Sequence, residues 1–264
     1  MIRKAKALIV KSFKLNFAYK FAFWTWTIIL TLLFLLNYFV WNAIFAYSGV
    51  TEIRGFTLNQ TILYYGLSMI VSALIYVDIW NFQWLVRSGA VLVRLVRPIS
   101  YYPLRQFLNF IGEKILVLLL QVIPLTILIW TILKPKFSAL QLSAGVLSIF
   151  LAMVLNFLFW WGVAQAAVWL IKVHGLYMAV DGIFWFISGG VVPLAFFPKI
   201  VQKILALLPF QYTIYVPIQI FLGKLGPIEI VHALTIQLFW ICALLIITKL
   251  IWLRALRALE AVGV

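Results

Sequence analysis

The sequence predicts an all-α membrane protein: an N-terminal interfacial helix, then six transmembrane helices, with a broken fifth span that continues into an extracellular helical elbow. Three observations predict it. Of 264 residues, 66% are hydrophobic and only 10% charged, and the mean hydropathy is +1.13. A water-soluble core of this length cannot hide so much apolar surface. Six apolar runs also reach the roughly 20 residues that a helix needs to cross the hydrocarbon layer. Finally, the 21 Lys and Arg, set against 6 Asp and Glu, lie mostly at the ends of those runs, where they set orientation and meet lipid headgroups. The net charge of +15 is therefore accounted for by the membrane, without a nucleic-acid partner.

Residues 2–19 precede the first run. At about 100° per residue, Arg3, Lys4, Lys11 and Lys14 share one arc, with Ile2, Ala5, Val10, Phe13 and Phe17 mostly opposite. That pattern predicts a helix lying in the interface, lysines among anionic lipid headgroups. The spans follow at 21–47, 57–80, 104–133, 140–171, a broken run at 176–197, and 230–252. The first is too long for a cleavable signal and is expected to stay as a span. No polar segment is large enough for a second domain, so residues 1–264 read as one membrane domain.

With the N-terminus inside, the inner loops and helix ends hold 15 of the basic residues, among them Lys4, Arg87, Arg94, Arg97, Lys172 and Arg257, and the outer side holds 6: Arg54, Lys134, Lys136, Lys199, Lys203 and Lys224. This bias puts both termini in the cytoplasm. Ser188-Gly189-Gly190, Pro193 and Pro198 interrupt the fifth run. Pro209 and Pro217 punctuate the chain as far as Gly223, which predicts a short re-entrant pair of helices over 193–223. Such backbone must be shielded by protein or line a wet cavity.

Chemistry is sparse. The chain has no phosphate-binding loop; Gly223-Lys224 lacks both the first glycine and the Ser/Thr. It carries no hydrolase or metalloprotease signature. The single Cys242 excludes an internal disulfide and a cysteine-based zinc site. Catalytic and metal-binding residues are therefore expected to be none. Glu113 and Lys114 are adjacent, so on a helix they should diverge, and Glu113 is expected to answer an arginine such as Arg105. Asp78 is expected at the headgroup level. Asp181 falls in the first turns of the fifth run, where free N–H groups stabilise an acid, and intramembrane acids are functional candidates by default. Trp84 suits an interfacial belt. Trp160, Trp161, Trp169, Phe184, Trp185 and Phe186 read as lipid-facing packing, with a substrate path as the alternative.

Two stretches carry a family resemblance. Ile79-Trp80-Asn81-Phe82, Val86-Arg87-Ser88-Gly89 and Leu95-Val96-Arg97-Pro98-Ile99 resemble the first cytoplasmic loop of ABC-type-2 permeases. Ser188-Gly189, Val192-Pro193-Leu194, Phe197-Pro198, Leu208-Pro209-Phe210-Gln211-Tyr212, Tyr215-Val216-Pro217 and Gly223 are similar to the extracellular elbow of the same family. The resemblance implies the membrane subunit of an ATP-binding-cassette exporter in the plasma membrane. It would pair with a second identical or related permease and sit on two cassette ATPase subunits, which would hold the ATP and Mg; this chain would need no cofactor. Residues 81–103 would form the coupling segment, with Asn81, Arg87, Ser88, Gly89, Arg94, Arg97 and Pro98 at the ATPase. Asp181, Gly182, Trp185, Ser188 and Gly189 would line the translocation path or the permease contact, with Ala179 as a further small residue there. Pro193, Pro198, Pro209, Phe210, Tyr212 and Pro217 would build the elbow. Two other readings stand beside it: the substrate-binding membrane component of an energy-coupling-factor importer, and an intramembrane enzyme.

Overall fold

A computed structural model describes residues 2–18, 20–91, 102–170 and 174–262. Arg94, Arg97, Pro98 and Lys172 lie outside the described residues. The helices are α1 (Ile2–Phe17), α2 (Lys20–Ser48), α3 (Leu58–Ile75), α4 (Trp80–Arg87), α5 (Tyr102–Val117), α6 (Ile123–Leu133), α7 (Ala139–Gln165), α8 (His174–Ile187), α9 (Lys199–Ala206), α10 (Tyr215–Phe221) and α11 (Pro227–Val262). A two-residue hairpin, β1 (Glu52–Ile53) with β2 (Phe56–Thr57), joins α2 to α3. Five stretches are long and apolar enough to cross a membrane: Phe23–Ser48, Leu58–Arg87, Tyr102–Leu133, Ala139–Val168 and Pro227–Leu259. The chain is thus a multi-pass, all-α membrane protein. Helix α8 has only 14 described residues, about 21 Å of helix. That is short of the roughly 30 Å hydrocarbon thickness.

Local sequence explains where the elements begin and bend. Thr57 and Gln60 form a capping box at the start of α3, and Ser138 and Gln141 do the same for α7. Pro227 opens α11, where a missing N–H costs nothing. Between α5 and α6 the third long stretch passes through a π-helical turn, Leu118–Val122. Pro124 has no N–H to give the carbonyl four residues back, which belongs to Leu120. Thr27 of α2 donates its hydroxyl to that Leu120 oxygen at 2.6 Å, and to Phe23 of its own helix at 2.9 Å. In lipid no water can take this role. Replacing Thr27 by the isosteric valine is expected to cost about 1 kcal/mol, read as a lower unfolding midpoint in detergent. Thr31, whose hydroxyl bonds to Thr27 on its own helix, should tolerate the same change.

The long helices α7 and α11 pack side by side in parallel and are tied at two levels. Ser148 donates to the Gln237 side-chain oxygen at 3.1 Å, and the Gln237 amide returns a bond to the Ser148 carbonyl at 3.1 Å. Gln165 donates to Thr248 O at 3.4 Å. At the hairpin end, Lys224 donates to Gly55 O, and its ammonium stands 3.6 Å over the Phe56 ring. Burial holds the Lys224 ammonium below the usual lysine range, with Glu52 acting in the opposite direction. The other end of the bundle carries α1, which packs on α5: Ser12 donates to Asn109 O at 2.7 Å. Gly112 admits this contact, since a Cβ there would lie 2.6 Å from Ile9 O.

The aromatic-rich centre differs from the sequence expectation. Trp160 and Trp161 are each 4% exposed and Phe184 is 3% exposed. They form packed core within the chain rather than a lipid-facing surface, because they meet other rings. Trp160 lies 5.0 Å from Tyr177 and 5.6 Å from Phe184, ring centre to ring centre. Only Trp169 and Phe186 of that group are largely exposed.

Candidate functional site

Helix α4 is short and two-faced. Phe82 and Leu85 are buried, whereas Asn81, Trp84, Arg87 and Ser88 are exposed. These exposed positions recur at helical spacing, so they form one outward face. Asp78 caps the approach, its carboxylate accepting the Trp80 N–H at 2.9 Å. The Ser88 N–H closes the last turn onto Trp84 O, and Gly89 follows with φ +69°. That left-handed glycine is the ordinary way to end a helix.

The buried face is keyed into an aromatic nest assembled from three other helices. The Phe82 ring centre is 4.8 Å from Trp161 of α7, 5.8 Å from Tyr102 of α5 and 6.3 Å from Trp252 of α11. Next to it, Trp80 meets Tyr177 of α8 edge to face at 4.8 Å and the tilted His174 ring at 5.1 Å. A displacement of α4 must therefore move several spans, because close-packed rings transmit strain. The sequence marks Asn81, Arg87, Ser88 and Gly89 at α4 but not its inner key, whose partners lie 20 to 170 positions along the chain.

Between α3 and α4 the backbone unwinds over residues 76–79. The end of α3 leaves carbonyls without helical partners, and two side chains from other helices take them. Asn156 of α7 donates to Ile75 O at 2.6 Å, and the Lys114 ammonium of α5 donates to Ala73 O at 3.3 Å. Lys114 is 4% exposed. It lies 5.2 Å from the Phe110 ring centre and 5.6 Å from that of Tyr76, and it pairs with Glu113 at 3.1 Å. This corrects the expectation that the adjacent pair would diverge. The lysine stem is long enough to fold back toward its neighbour while its head reaches the broken end of α3.

The second group of predicted residues divides. Ser188 is fully buried and Gly189 holds φ +84°. Tyr64 donates its hydroxyl to Gly189 O at 2.6 Å, Ser68 donates to Gly190 O at 3.2 Å, and the Tyr215 N–H donates to Ser188 O at 3.0 Å. The interrupted backbone after α8 is thus satisfied by α3 and α10. Gly182 is different: a Cβ there meets nothing within 4 Å, and both it and Ala179 are exposed in the single chain. Asp181 lies in the middle of α8, not in its first turns. Free N–H groups at a helix start therefore do not account for it.

In the 193–223 segment, α9 and α10 are two short helices. Pro193, Pro209 and Pro217 are buried, and Pro198 is exposed. Phe210 packs against Phe159 and Phe184 at 5.2 and 6.1 Å. Tyr212 O accepts the Gln237 amide at 2.8 Å, and the Tyr212 hydroxyl donates to Ala206 O at 3.1 Å. Ile200 and Ile204 on α9, and Leu207 just after it, project from the molecule beside Lys199 and Lys203.

Compared with known families, residues 14–263 match the ABC-2 family transporter protein family. The chain belongs to the ABC-2 transporter family. No curated protein and no solved structure matches it. An ABC-2 protein of this kind is a membrane permease component of an ABC transporter and is not itself catalytic; such permeases work with ATP-binding cassette partners.

Proposed function

We propose that this permease is half of the translocation path of an exporter and that α4 is the element a separate cassette ATPase pushes. The observation that carries this reading is the pairing of faces on α4. Asn81, Trp84 and Arg87 are presented outward, and Phe82 is locked among rings from α5, α7 and α11. Arg87 offers a fork that matches a partner carboxylate, and Trp84, 62% exposed, offers an aromatic anchor of the kind that dominates docking energetics. The family resemblance adds Arg94, Arg97 and Pro98 as further candidates for the ATPase contact.

On this reading the α1 and α4 end faces the cytoplasm, both termini are inside, and the protein sits in the plasma membrane. A second identical or related permease would cover the open flank of α8 around Asp181, Gly182 and Trp185. ATP and Mg would be held by the two ATPase subunits. Movement of α4 would be felt at the unwound 76–79 segment and then in α3, whose Tyr64 and Ser68 hold the Ser188–Gly190 break. That supports switching of access by a push from one end of the bundle.

Charge reversal of Arg87 and Arg97 to glutamate tests it. Co-purification with the ATPase is expected to fall about tenfold or more, with membrane insertion unchanged. Undiminished co-purification and ATP hydrolysis would remove α4 from this role.

A further inference from the structure

At the end of the bundle that carries α1, five parts of the chain leave a cavity of about 380 Å³ between them: α1, the turn before α4, the first turn of α4, α5 and α7. Its volume falls in the range of about 300–1,000 Å³ that small-ligand sites occupy. Its walls are of two kinds. Lys11 and Arg105 bring positive charge, Asp78 and Glu113 bring carboxylates, that of Glu113 already paired with Lys114, and Phe110, Phe157 and Trp161 form an aromatic floor. Arg105 is already engaged within the chain, so it adds positive potential to the wall while Lys11 supplies the exposed ammonium. One Asp78 oxygen caps α4 and the other remains to accept.

A further observation points to a ligand. The Trp161 indole N–H is buried and has no hydrogen-bond partner among the described residues, although Trp161 itself lines the cavity. Buried polar groups are satisfied as a rule, and one that is not calls for an explanation. The cavity also lies where headgroups lie, because α1, which forms one wall, carries alternating basic and apolar faces at the start of the first span.

We propose that this cavity binds a phosphate-and-amine headgroup of the phosphoethanolamine type. The phosphate meets Lys11, the amine meets Asp78, an ester or phosphate oxygen accepts the Trp161 N–H, and the apolar remainder lies along the aromatic floor. Since Lys11 belongs to α1 and Asp78 to the turn feeding α4, a bound headgroup joins those two elements. The site lies within one chain and does not depend on the docking role given to α4.

Two sources share this chemistry: a membrane lipid and a soluble phosphoethanolamine compound. The test is native mass spectrometry of the delipidated full-length protein. It is titrated with dihexanoyl-phosphatidylethanolamine, with dihexanoyl-phosphatidylglycerol and with glycerophosphoethanolamine, which has no acyl chains. Wild-type protein is expected to bind one phosphatidylethanolamine saturably and phosphatidylglycerol more weakly. Lys11→Gln and Asp78→Asn should each weaken that binding about tenfold, and Trp161→Phe should weaken it severalfold in a protein that still elutes as a single species. Glycerophosphoethanolamine binding as tight as that of the short-chain lipid would support the site and assign its ligand to the soluble source. Absence of saturable binding, or equal binding in wild type and in both charge variants, would overturn the proposal.

Discussion

Replacing Lys114 by methionine is expected to lower stability by about 3 kcal/mol. The substitution keeps the stem and removes the charge. It leaves Glu113 without its partner at 3.1 Å and Ala73 O without the donor that holds the frayed end of α3. Removing one member of a buried pair is costly because the other charge stays behind; Glu113 reaches the rim, at 25% exposed, which places the effect near the low end of such losses. Adding Glu113→Gln to Lys114→Met should therefore restore part of the loss. A double-mutant cycle on thermal unfolding in detergent reads the coupling directly. Additive losses would show that the two groups do not act as a pair.

Gly189→Val is expected to be at least as severe, at about 3 kcal/mol or more. Two effects combine. The residue holds φ +84°, which a β-branched side chain resists strongly, and a Cβ would lie 2.8 Å from the Tyr64 hydroxyl and 2.9 Å from the Tyr215 side chain. The second contact is with atoms close to the backbone, so the elbow must shift to make room. Tyr64→Phe isolates the smaller part: it removes the 2.6 Å bond to Gly189 O and should cost about 1–2 kcal/mol. Gly182→Ala should instead raise the stability of the single chain by about 0.5–1 kcal/mol, since the position is inside α8 and nothing lies within 4 Å of the added atom. Yield and melting of the three variants, measured side by side, check the order.

Much of this architecture can be read from the sequence, for reasons specific to lipid. A span announces itself by length and hydropathy, and a break announces itself by Ser188-Gly189-Gly190 and the prolines that follow, because no water is available to excuse irregular backbone. Arg87 and the glycine that ends α4 are legible for the same reason: charge stands out against 66% apolar residues. What a span buries is not legible. In a soluble helix the polar face shows which side is out, but a span faces lipid and protein with the same apolar residues. Trp160 and Trp161 could not be told from Trp169 on sequence, and Phe82 gave no sign of the three rings that receive it. The polar pins were hidden differently. Lys114, Asn156 and Thr27 each satisfy a carbonyl on another helix, and the need for that donor arises only where α3 stops or where Pro124 removes an N–H.

The outward face of α4 carries the account, and a photo-crosslinker in place of Trp84 tests it most directly. With benzoylphenylalanine at that position and irradiation in native membranes, the account predicts one dominant adduct, with a cassette ATPase subunit, suppressed by adding Arg87→Glu. Adducts with lipid alone, or with another face of the permease, would contradict it.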